Sequence, residues 1–246
     1  MKHTHIASWI QRHKRALFLS VAVLGVAAVF SYLTWSGYRE ALAGAETTSR
    51  NYAAIIEARL DATLRRADTH LTILQREIPL EALSQQAVHR YAKQIDRALD
   101  SRSLNFPEVA AMRIYGAEGQ LLYSSNSKGS ARTNIVGRDI YDLARKGSMK
   151  DPLFSEVIVG RALKRPIMAM SRSFRYDQGA FRGIVIIAID LEYFESLFSL
   201  LDVGPGGVVA VYRRDNFKMV MHRKPGKGKV NKPLPPGSAA KEIGEA

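Results

Sequence analysis

From Ala16 to Trp35 the sequence reads ALFLSVAVLGVAAVFSYLTW, 20 residues without a charge. A helix needs about 20 apolar residues to cross about 30 Å of hydrocarbon, so this run predicts a transmembrane helix over residues 16–38. Lys2, Arg12, Lys14 and Arg15 precede it with no acidic residue among them, the flank expected on the cytoplasmic side. Tyr32, Trp35 and Tyr38 fall where the helix leaves the hydrocarbon, as amphipathic rings prefer. Ala41, Ala43 and Ala45 offer small-residue cleavage sites, the mark of a signal peptide. The apolar run is longer than a typical h-region and continues into a helical pattern, which favours an uncleaved anchor. The expected localisation is a bacterial inner membrane, crossed once, with residues 1–15 cytoplasmic and the rest extracytoplasmic.

No cysteine occurs, so neither a disulfide framework nor a thiolate metal site is available. Net charge is +13, and setting aside the four basic residues before the span leaves 32 basic against 23 acidic residues. Beyond a membrane such an excess suits a surface near anionic lipid or affinity for an anionic ligand. No basic-aromatic motif of a nucleic-acid reader accompanies it, and no nucleic-acid partner is expected.

Arg39 to Ile78 is rich in Ala, Glu, Arg and Leu and lacks proline, predicting one long helix. Leu60, Leu64, Ala67, Leu71, Leu74 and Ile78 form a narrow apolar seam. Spacing alone leaves two uses open: a coiled-coil homodimer contact through the stalk, or the face by which the helix lies on its own domain. Pro79 ends the run. A second helix is predicted from Ser84, a plausible N-cap, to Leu99, completing a helical stalk over 39–100.

From Val109 the texture becomes short β-branched and aromatic runs. Residues 110–115 and 120–125 read as a hairpin with Ala-Glu-Gly at its tip. A short helix near Asp139 to Lys146 follows, then strands over 154–161, 165–174 and 181–190, the last two joined through a turn at residues 176–179. The fifth strand is apolar on both parities, so both faces of the sheet are covered there. One face takes the long helix. The other is closed by the loops and short helix between the second and third strands, where a small-molecule pocket forms. Glu192 to Leu201 reads as a short amphipathic helix, Gly204 to Gly207 as a linker, and 208–214 with 217–223 as another hairpin. A lone hairpin is marginal in water and needs a host surface. Residues 224–246, rich in Gly, Pro and Lys, read as a disordered tail.

The order of MRIYGAEGQLLYSS (112–125), GRDIYDLAR (137–145), FSEVIVGR (154–161), RPIMAMSRSF (165–174), FRGIVIIAIDLEYFESLF (181–198) and LDVGPGGVVAVYRRD (201–215) resembles the Cache (PDC, PAS-like) sensor regions of bacterial receptors. These precede diguanylate cyclase, histidine kinase or chemoreceptor modules. The resemblance implies an α+β fold: a transmembrane helix runs into a long helix that packs on a five-stranded antiparallel PAS-like sheet. It implies a sensor module at 101–202 and an incomplete second module, a hairpin, at 203–223. The sequence departs from the family plan after that hairpin, which suggests a truncated receptor.

Family members bind ligands between the sheet and its capping loops, so polar groups on strands and on the capping helix are the candidates. Arg113 and Tyr115 share a face of the first strand, and Tyr123 projects from the second. Edge packing is the alternative for the tyrosines. Arg138, Asp139 and Tyr141 match the family's R-D-Y-F-like stretch, placing a guanidinium fork suited to carboxylates and a phenol over the cavity. The alternative is a surface ion pair with a helix cap. Met170 and Arg172 share a parity of the fourth strand, with core filling the bland use of the methionine. Asp190 is suited to a ligand amine or to capping the following helix.

The six histidines lack metal-ligand spacing, and no nucleophile elbow, P-loop or dinucleotide turn is present. No catalysis, metal or cofactor is expected. The basic cluster from Arg213 to Lys232 reads as a solvated surface. These features predict a membrane-anchored sensor binding a small, anionic metabolite for signal transduction. The alternative is a pocket-less envelope protein that dimerises or docks a partner.

Overall fold

The computed structural model describes residues 3–126, 133–147, 152–160, 164–176, 179–204, 207–216, 218–223 and 230–233, with the side chains of Lys14 and of Leu17 onward in those ranges, Arg223 apart. The chain divides into two units, Met1–Ile55 and Ile56–Ala246. The first unit is helical from His3. It carries an apolar stretch long enough to cross a membrane, and Leu17, Leu24, Phe30 and Trp35 there are exposed.

Helix α1 (His3–Glu77) ends two residues before Pro79. The stalk then breaks into two 3-10 turns, Leu80–Leu83 and Gln85–Ala87, before α2 (Val88–Leu104). Ser84 accepts from the Ala87 N–H, so it caps a 3-10 turn rather than the α-helix predicted from 84 to 99.

In the second unit, β1 (Val109–Gly116), β2 (Leu121–Ser124), β3 (Leu153–Val159), β4 (Pro166–Arg175) and β5 (Phe181–Asp190) form one antiparallel sheet in the order β2-β1-β5-β4-β3. The hairpin tip closes through Gly119, whose φ of 75° suits a residue without a side chain. Gly183 lets β5 approach β1, since a Cβ there would meet the Tyr115 carbonyl at 2.3 Å. Along β5, Val185, Ile187 and Ile189 join a core under the helices, while Ile184 and Ile186 join a core under α3 (Asp139–Lys146). The five-stranded, two-faced sheet expected from the sequence is present.

The α1 seam lies on its own sheet. Ala67, Leu71 and Leu74 are fully buried, in one core with Met112, Ile114 and Val185. Arg172 of β4 clasps Asp68 through Nε and Nη2 at 2.8 and 3.1 Å, and the Gln75 amide donates to the Ser173 carbonyl at 2.6 Å. This burial leaves Ala67, Leu71 and Leu74 no surface for a coiled-coil partner, and the motive for a homodimer through that seam goes with it.

Helix α4 (Leu191–Ser199) follows β5, and β6 (Val209–Tyr212) pairs with β7 (Met219–Arg223). The hairpin has the host surface it needs. Arg213 donates to the Ser155 carbonyl of β3 at 3.0 Å, and Lys218 pairs with Glu156. Part of the predicted tail is ordered too: the Met219 N–H donates to the Lys232 carbonyl, and the Asn231 N–H to the Met219 carbonyl. Residues 224–229 and 234–246 lie outside the described residues, as do 177–178 of the predicted turn and 205–206 of the linker.

Replacing the buried Leu71 by Ala removes methyl groups that the sheet cannot collapse to replace. Urea titration should show a loss of about 3 kcal/mol in unfolding free energy.

Candidate functional site

On the face of the sheet away from α1, a row of small side chains runs across the three central strands. Ala111 of β1 is paired in register with Ala188 of β5, and Ala188 with Ala169 of β4. All three are buried. Methyl groups on adjacent strands reach too little of the space between sheet and cap, and a pocket of about 90 Å³ remains above them. Ile186 and Ile167 extend its floor, and Thr133 to Ile135 with Ile140 close it from the cap.

Three of the predicted residues meet at this pocket: Arg113, Tyr115 and Arg138. Arg113 Nε is buried and has no hydrogen-bond partner. A guanidinium N–H cut off from water without an acceptor is costly, unless a ligand supplies one. The half-buried Arg138 immediately precedes α3 and makes no ion pair among the described residues, so the surface pairing with Asp139 is not formed. The Tyr115 hydroxyl lies 3.5 Å from the Thr133 hydroxyl. No carboxylate lines the pocket among the described residues. The site presents two cations and two hydroxyls over an apolar floor.

The other predicted residues lie elsewhere, each for a physical reason. Tyr123 pairs with Ile114 on the helix-facing side, where its hydroxyl donates to the Ala82 carbonyl at 2.7 Å. Burial, then the nearby Asp96 and Tyr91, push its phenol up to about 12. Met170 is buried in the same helix-side core, and Arg172 is spent on Asp68. Tyr141 is on the cap side, but its hydroxyl donates to the Ala117 carbonyl at 2.5 Å and its ring meets Phe181 edge-on at 5.8 Å. It fastens α3 to the β1–β2 hairpin without lining the pocket. Asp190 takes the capping role: one oxygen accepts from the Glu192 N–H at 3.1 Å and the other meets Arg165 at 2.8 Å.

The alanine row and the Thr133–Asn134 wall went unrecognised in the sequence. The signal was present as cap-parity alanines in three strand runs, in which small size marks a vacancy. No group of three His, Asp or Glu side chains placed to hold a metal occurs among the described residues.

The fold is that of Cache-type sensor domains. The sensor domain of the Vibrio cholerae histidine kinase DctB is 16% identical with a TM-score of 0.56, covering 78% of this chain and 71% of that one. The ligand-binding domain of the Pseudomonas aeruginosa amino acid chemoreceptor PctC, solved with GABA, is 18% identical with a TM-score of 0.54, covering 75% and 78%. That of the Campylobacter jejuni chemoreceptor Tlp3, solved with L-valine, is 15% identical with a TM-score of 0.53, covering 70% and 68%. Neither a protein-family model nor a curated protein matches the sequence.

Because the Tyr123 phenol ionises at about 12 when folded and near 10.0 when unfolded, its neutral form favours the folded chain. That contribution is complete below pH 10 and is lost as pH rises towards 12. Burial raises Tyr212 as well, so alkaline absorbance titration should show a late-ionising component that Tyr123→Phe diminishes.

Proposed function

We propose that the second unit is an extracytoplasmic sensor that recognises a small, anionic metabolite in the cap-side pocket for signal transduction. Helix α1 anchors it in a bacterial inner membrane with the N-terminus cytoplasmic. The chain then serves as the sensory portion of a receptor whose output is of the diguanylate cyclase or kinase type. The observation that carries this reading is the buried, unpartnered Arg113 Nε at the edge of an apolar pocket. A carboxylate oxygen supplies the missing acceptor and offsets the charge, and Arg138 offers a second fork.

The structural neighbours crystallised with L-valine and GABA hold ligands bearing both a carboxylate and an ammonium. This pocket lacks a lining carboxylate among the described residues, and Asp190 has both oxygens engaged. A volume near 90 Å³ admits only a few heavy atoms beside the floor. Both points favour short-chain carboxylates without an amine over amino acids.

Thermal melting should therefore rise by roughly 5 °C with acetate, propionate or pyruvate at about a hundred times Kd, and stay unchanged with alanine or GABA. Arg113→Ala should weaken binding roughly 10- to 100-fold, and Ala188→Leu, which fills the floor, should abolish it. A chain that no small molecule stabilises would favour the pocket-less alternative.

The absence of cysteine makes the topology directly testable. In intact cells a membrane-impermeant maleimide should label Lys93→Cys and spare Thr4→Cys. The reverse pattern would sink the proposed orientation.

A further inference from the structure

A second cavity lies on the opposite face of the sheet, within the second unit. Its volume is about 390 Å³, against about 90 Å³ for the cap-side pocket. Leu64 of α1, Met168 of β4, Ile189 of β5, Phe194 of α4 and Val211 and Met221 of the hairpin wall it. Water is poorly held along the apolar part of these walls, where it finds few partners, and the lining methyls forfeit dispersion contacts until something fills the space. The volume falls in the range of ordinary small-molecule sites.

The charged groups of the cavity come from one turn, Arg213, Arg214 and Asp215. Arg213 is committed: Nε and Nη2 hold Asp215, and Nη1 donates to the Ser155 carbonyl. The hydrogen bond from Arg213 keeps the Asp215 carboxyl below its usual range, so it stays ionised and the pair is neutral. Arg214 is exposed and makes no ion pair among the described residues. One uncommitted cation thus stands beside a largely apolar cavity.

We propose that this cavity binds a medium-chain carboxylate, its alkyl chain against Leu64, Phe194 and Met221 and its head group on Arg214. Charge complementarity selects an anion, and the volume accommodates a single alkyl chain rather than a two-chain phospholipid. The site is separate from the cap-side pocket, since Ile189 and Ala188 point to opposite faces of β5.

The test uses the full chain in phosphatidylcholine nanodiscs, irradiated with a decanoate that carries a diazirine on its chain, followed by peptide mapping. Crosslinks are expected in the peptides bearing Leu60 to Leu64 and Phe194, and unlabelled decanoate should suppress them. Octanoate should compete more weakly, by about fourfold per methylene removed. Decanol should compete about tenfold less well than decanoate, and Arg214→Glu should lower labelling by about tenfold. Val211→Trp, which occupies the cavity, should also lower it, whereas Ala188→Leu in the other pocket should leave it unchanged. Crosslinks confined to residues 16–38, or equal competition by the alcohol and the acid, would overturn the proposal. Because competition is read on the unmodified chain, a variant that fails to fold leaves the test decisive.

Discussion

β5 pairs with β1 on one side and β4 on the other and is buried on both faces, and the rest of the second unit is arranged to keep it so. Each large aliphatic side chain fully removed from water contributes about 1.5–3 kcal/mol, and Val185, Ile187 and Ile189 supply them to one core while Ile184 and Ile186 supply them to another. Two covers are therefore needed. The α1 seam is one, held in place by Arg172 on Asp68. Helix α3 is the other, held by the Tyr141 hydroxyl on the hairpin carbonyl of Ala117. Residues 56–77 of α1 are thus part of the core of the second unit.

The two covers meet different side chains, which explains where space is left. Under the helices the row Met112, Ile187 and Met170 crosses β1, β5 and β4 in register and fills the layer. One residue further along the same strands, the cap-side row Ala111, Ala188 and Ala169 does not. A pocket opens at that row, next to Arg113. The buried Nε–H of Arg113 lacks the acceptor it would have in water, and no lining carboxylate supplies one among the described residues. An anionic ligand there would lower the free energy of the folded chain by supplying that acceptor.

Much of this order was legible because period and punctuation are local signals. The uncharged run at Ala16, the proline at 79, the alternation in β4 and the two-sided run in β5 each named an element within a few residues. Which face a residue joins is not local. Parity grouped Met168, Met170 and Arg172 correctly, but both faces of the sheet are covered, so parity could not tell helix side from cap side. Tyr123, Met170 and Arg172 were therefore candidates for a pocket on the other face. Arg113, Tyr115 and Arg138 were legible as polar groups in cap-facing runs. The alanine row was missed because small residues in a strand read as ordinary filler, and only register shows that three of them coincide.

Register also explains how the second hairpin is joined to the five-stranded sheet. β3 is an edge strand, and the pairing of β3 with β4 shifts between Phe154 and Val157. An open edge exposes backbone groups that elsewhere recruit another strand. Here Asn231, at a φ of 62°, presents its side-chain amide to Val157 as a strand would, accepting from the N–H at 2.9 Å and donating to the carbonyl at 2.7 Å. Arg213 takes the carbonyl of Ser155, and Lys218 the carboxylate of Glu156. Ile158, the next residue along, lines the cap-side pocket, and Phe154 lines the second cavity. β3 thus touches both spaces, as β4 and β5 do, and it is the strand that Arg213, Lys218 and Asn231 hold through their side chains.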